Sequence, residues 1–222
     1  MNVFNINDLV ANGFEIGGRT VTGVDLTDVT IPIAVEEVCR DRATLIANGW
    51  QVRSFAYPFS SFDTNTQNIV KDCGYNSAQH PDTIKSSTTL PYLLGQYNVQ
   101  SYNTLSDIQS YIGSNSYSIV NFQTIDVDAN GNPTGVFKEF IDWLKTQSSS
   151  LSIINVGNVI GGPLKKVPPY FQNTPATPTP DRNAFIKIMI GSGSFAVIIT
   201  VIIYVAINTK CTKLKKQRAT KK

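Results

Sequence analysis

Apolar positions in the first 160 residues alternate between a helical and a strand period. Residues 33–48 set Val35, Val38, Leu45 and Ile46 on one side of a helix, and Gly49 stops it. The short run 51–56 reads as a strand ending in Tyr57-Pro58. Residues 65–73 predict a second helix closed by Gly74, and 75–78 a further strand. Upstream, 7–12 reads as the end of a helix and 14–17 as a short strand. Downstream the pattern repeats: a helix over 105–112, a strand over 118–125, and a turn at Asn130-Gly131-Asn132-Pro133. A helix over 135–147 then buries Phe137, Phe140, Ile141 and Leu144, and 151–156 closes as a strand. Strands alternating with helices imply an α/β fold with a parallel sheet, open or closed into a barrel.

The pattern changes after residue 162. Residues 163–183 hold six prolines and predict a semi-rigid, largely polyproline-II spacer. Thr174, Thr177 and Thr179 beside those prolines suit an O-glycosylated stalk if the segment is external, or else an unmodified linker. Ile188–Ile207 then runs 20 residues without a charge. As a helix it spans ~30 Å, the thickness of a bilayer's hydrocarbon core, so 184–207 is expected to be one transmembrane helix. The expected layout is a folded body over 1–162, a linker over 163–183, the anchor, and a tail over 208–222.

Charge gives that anchor a direction. Seven of the 19 lysines and arginines fall in 208–222, which has no acid, so the body is mildly acidic and the tail strongly basic. The asymmetry favours a cytoplasmic C-terminus and an extracellular or lumenal body. An external body calls for a signal peptide, and MNVFNINDLVANG has no basic start and no continuous apolar core. Either the body is cytosolic and tail-anchored, or the N-terminus lies further upstream. No basic face with interleaved aromatics marks the body, which argues against a nucleic-acid partner. With one histidine, His80, no single chain can supply a metal site with two imidazoles. His80 precedes Pro81 in a polar stretch and reads as a solvated residue. Cys39 and Cys73 each lie near the end of a helix. In an oxidising compartment they can pair, and in a reducing one they serve as small core hydrophobes.

Three segments carry a resemblance. NGFEIGGRTVTGVDLTDV (Asn12–Val29), WQVRSFAYPFSSFDTNTQNIVKDCGYNSA (Trp50–Ala78) and SIVNFQTIDVDANGNPTGVFKEFIDWL (Ser118–Leu144) resemble, in order and spacing, three parts of the polysaccharide deacetylase family (carbohydrate esterase family four). The resemblance implies a deformed (β/α) barrel with its site at the C-terminal ends of the strands. It also implies zinc or another divalent metal, held by an Asp and two His, that activates water against N-acetyl groups on chitin-like or peptidoglycan-like glycans. The family's Thr-Phe-Asp-Asp-Gly motif belongs ahead of the first segment, so the expectation is a barrel lacking its first strand. The exposed sheet edge this leaves invites pairing with another chain.

Position by position the chemistry departs from that family. The first metal histidine falls at Arg19, the second at Gly23, and the late acid histidine at Gln123. A guanidinium offers no lone pair, glycine has no side-chain donor, and a carboxamide does not trade a proton near neutral pH. No cofactor is therefore expected. The main-chain N–H of Phe59 matches the family's oxyanion donor, which does not depend on side-chain identity. Tyr57, Phe59 and Gln123 are the candidate glycan contacts, with Trp50 and Tyr75 as further aromatics. Asp25 and Asp28 read as capping or loop groups. The leading expectation is a membrane-anchored, inactive deacetylase relative that retains glycan binding. The alternatives are a truncated copy of an active membrane-bound deacetylase and a structural or adhesion surface protein.

Overall fold

A computed structural model describes residues 6–80, 89–115, 117–122, 125–172 and 201–207 of the 222. In chain order it contains α1 (Ile6–Ala11), β1 (Ile16–Gly18), α2 (Ile31–Ala47), β2 (Val52–Ala56), α3 (Thr64–Asp72), β3 (Ser77–His80), β4 (Leu94–Gly95) and β5 (Tyr97–Val99). There follow α4 (Leu105–Gly113), β6 (Tyr117–Phe122), α5 (Gly135–Thr146), β7 (Leu151–Ile153), α6 (Val156–Ile160), α7 (Pro169–Gln172) and β8 (Val201–Ile207). The pairs β1–β2, β2–β3 and β5–β6 are parallel, so the α/β class and the parallel pairing are as the hydrophobic pattern implies. The chain divides into two compact units, which in described residues are 6–80, 89–94 and 156–172, and 95–155 and 201–207.

The first unit is built on the sheet β1-β2-β3-β4. Helix α2 starts behind an extended Thr30 with Pro32 in its first turn, where a missing N–H costs nothing. Its inward stripe is Ala34, Val38, Cys39 and Arg42, at helical spacing. Asp63 and Thr66 form a capping box at the start of α3. Phe55, Tyr57 and Tyr75 pack edge-on and tilted in the core, with ring centroids 5.5 and 5.0 Å apart. Cys39 and Cys73 are joined in a disulfide that ties α2 to the end of α3. Among the described residues, no carboxylate pairs with the buried Arg42 guanidinium. Instead it donates to the carbonyls of Val52, Cys73 and Lys165, at 3.2, 3.2 and 2.7 Å, and lies over the Tyr75 ring.

Residues 156–172 also belong to this unit. Asn76 Nδ2 donates to the carbonyls of Gly161 and Pro163, and Lys165 Nζ donates to Tyr75 O and Tyr92 Oη. Val167 and Phe171 are buried in the core. The part of the expected spacer from 163 to 172 is thus a packed strap, and 173–183 lie outside the described residues. Apolar residues between the prolines explain the difference, because they gain more from burial than a solvated polyproline segment would.

The second unit carries the sheet β5-β6-β8-β7, in which β8 pairs antiparallel with β6 and with β7. Its core sets Val99, Val120 and Phe122 against Ile108, Ile112, Phe140 and Leu144. A capping box between Thr104 and Asp107 opens α4. The strand β8 corrects the reading of 184–207 as one helix, because Val201–Ile207 is extended. This VIIYVAI run is rich in β-branched and aromatic residues, which favour the pleated surface of a sheet. Residues 184–200 lie outside the described residues. Among the described residues no helix is long and apolar enough to cross a membrane.

Candidate functional site

The strained backbone of the first unit gathers where β1 and β2 end. Among the described residues only Thr20, Phe59 and Ser60 are non-glycine residues with positive φ, at 79°, 53° and 66°. Such conformations cost of order 1 kcal/mol or more each and cluster at functional sites. β1 and β2 run parallel with Gly18 opposite Phe55, so the loops that follow them leave the same end of the sheet.

The loop after β1 carries Arg19 and Gly23. Gly18 is required for close approach, because a Cβ there would collide with Tyr75 Oη and Asp41 Oδ2. Gly23 sits at φ 77° with open space around it, so its turn, rather than crowding, asks for glycine. The Arg19 side chain is exposed, and its main-chain N–H donates to Asp41 Oδ2 at 3.0 Å. Thr22 donates through N–H and Oγ1 to Glu37, at 2.8 and 2.9 Å. Asp25 accepts from Thr27 and also bonds the Ser61 side chain, which holds its carboxyl below the usual range. That bond ties the loop after β1 to the loop after β2. Asp28 is exposed in the same loop.

The loop after β2 presents Phe59, a residue 67% exposed. No described residue accepts from its main-chain N–H. Tyr57 is 3% exposed, packs between Phe55 and Phe62, and donates its hydroxyl to Tyr92 O at 3.2 Å. Burial pushes that hydroxyl well above its ordinary pKa. Tyr75 is fully buried, and Trp50 is half-buried with Nε1 donating to Asn7 Oδ1. Of the candidate aromatics, then, Phe59 stands out to solvent, while Tyr57 and Tyr75 lie in the core. Gln123 falls outside the described residues.

His80 is the last residue of β3, 2% exposed, with its ring 4.7 Å from Phe62. This corrects its reading as a solvated loop residue. The polar sequence around it hid a strand that is buried on both faces.

Sequence reasoning missed Glu37, Asp41 and Arg42. The first two sit one turn apart and look like a solvated helix face. Their work is on backbone N–H groups, which no side-chain motif announces. The donor set at the loop after β1 does not fit a zinc ion. Arg19 has no lone pair, Gly23 has no side chain, and no three His, Cys, Asp or Glu among the described residues are placed to hold a metal. The chain's own groups at this end of the sheet can donate hydrogen bonds and stack an aromatic ring.

No curated protein and no solved structure matches the chain. Residues 4–78 match the family model for polysaccharide deacetylase, so the resemblance carried by Asn12–Val29 and Trp50–Ala78 holds over this part of the chain.

Proposed function

We propose that the first unit is a glycan-binding domain of polysaccharide deacetylase type that does not itself hydrolyse acetamides. One observation carries this reading: the loop that bears the family's two metal histidines here bears Arg19 and Gly23. Without two imidazoles the metal is not gripped, and its water is not activated. The exposed Phe59 ring, its main-chain N–H and the Arg19 guanidinium support binding, because a sugar ring stacks on an aromatic face and its hydroxyl and acetyl oxygens accept hydrogen bonds. Tyr57 takes part by shaping the Phe59 turn. The deformed (β/α) barrel belongs to the same reading. The test is to incubate the purified chain with N-acetylglucosamine oligomers and zinc. Binding without acetate release is expected, with affinity falling about tenfold or more in Phe59→Ala. Zinc-dependent acetate release would overturn the reading.

We further propose that the chain is held at a membrane by the uncharged run 188–207, with its basic tail cytoplasmic and its body extracellular or lumenal. The Cys39–Cys73 disulfide supports an oxidising location for the body. Insertion requires Val201–Ile207 to leave its place between β6 and β7. Release of the chain from membranes by alkaline carbonate would refute the anchor.

A further inference from the structure

Two carboxylates of α2 meet the backbone of the loop after β1. Asp41 accepts the main-chain N–H groups of Arg19 and Thr20 and the Tyr75 hydroxyl. One turn earlier, Glu37 holds Thr22 through both N–H and Oγ1. Within the loop, Thr20 Oγ1 accepts from Gly23 N at 2.9 Å, so the five residues 19–23 are fixed as one piece. The absence of a side chain at Gly18 is what lets Asp41 and Tyr75 come so close beneath it. The arrangement opposes two effects. The N–H and hydroxyl donors favour an ionised Asp41. Removal from water and the neighbouring Glu37 charge disfavour it.

We propose that Glu37 and Asp41 form a latch on the 19–23 loop that loosens as Asp41 loses its proton. The loop is the one that carries Arg19, so the latch sets how firmly that side of the candidate site is held. It rests on the proposed function only for the use of the loop, and the hydrogen bonds stand without it.

The groups that face Asp41 are Glu37 on its own helix, the Arg19 and Thr20 amides of the loop, and the Tyr75 hydroxyl just ahead of β3, with the Arg42 guanidinium over the Tyr75 ring. Burial is the largest influence and raises the Asp41 pKa from 3.8 to about 6. When the loop lifts, Asp41 meets water and reverts toward its ordinary value. The closed loop therefore binds the proton more tightly than the open one. Opening becomes easier as pH rises through the window from about 4 to 6, by up to ~100-fold over two pH units.

The experiment is amide hydrogen exchange on the full chain in mild detergent, without glycan, with each rate divided by its intrinsic value at that pH. Protection at Arg19–Thr22 should fall at least tenfold between pH 4.5 and 7.5, while amides in β2 stay level. A profile flat within twofold would overturn the latch. Tyr75→Phe removes a donor that holds the carboxyl down, so the midpoint should move to higher pH; an unmoved midpoint counts against the proposal. In Asp41→Asn, if it folds, the pH dependence should vanish, and its persistence also counts against it. Because no sugar is present, failure of glycan binding leaves the result intact, and the converse holds.

Discussion

At the scale of the residue, the first unit leans on positions that no motif names. Gly18 is one: a methyl group there meets the Tyr75 hydroxyl and the Asp41 carboxylate. Gly18→Ala should lower stability by about 1–3 kcal/mol, read as a fall in thermal midpoint, because the crowded partners include a fully buried ring. A replacement of equal stability would show that this approach is looser than described. Gly74 combines two demands, a φ of 93° and a carbonyl and a guanidinium pressed against it. The sequence marked Gly74 correctly as a helix stop. It could not mark the crowding, because Arg42 and Lys166 arrive from far along the chain. Arg42 itself looks like any surface arginine until its three carbonyl acceptors are brought together by the fold. At the site, the substitutions at Arg19 and Gly23 were legible from residue types alone. The burial of His80 was not, since it sits in a stretch whose polarity suggests solvent.

At the scale of the element, the repetitive part of the pattern was readable and the short pieces were not. Helices α2, α3, α4 and α5 fall within two residues of the apolar periodicity, because each has a clear stripe and a stop or capping signal. Strands β4 and β5, of two and three residues, are too short to leave a periodic trace. Val201–Ile207 shows a different failure: a continuous apolar run satisfies both a bilayer helix and a buried strand, and periodicity alone does not choose. The bond between α2 and α3 is the disulfide, which closes a separation of 34 residues. In the loop-entropy account such a link contributes about 4 kcal/mol. Replacing Cys39 and Cys73 by alanine should therefore lower the unfolding free energy of the first unit by most of that amount, read as a fall in its denaturant midpoint. An unchanged midpoint would mean that the pairing adds nothing.

At the scale of the whole molecule, the first unit is discontinuous, since it takes residues 156–172 after the second unit's helices have intervened. Val167 and Phe171 bury apolar surface worth roughly 3–6 kcal/mol together, and Lys165 O satisfies a buried Arg42 donor. A chain ending at 172 should accordingly melt well above one ending at 155; equal melting would show the strap to be dispensable. The same strap imposes a timetable on biosynthesis. A nascent polypeptide that has emerged through its first hundred residues still lacks the piece that seals its opening domain. That domain must wait, with its arginine uncovered, until translation has moved some seventy residues further. A folding helper that recognises exposed core would meet the protein in that interval.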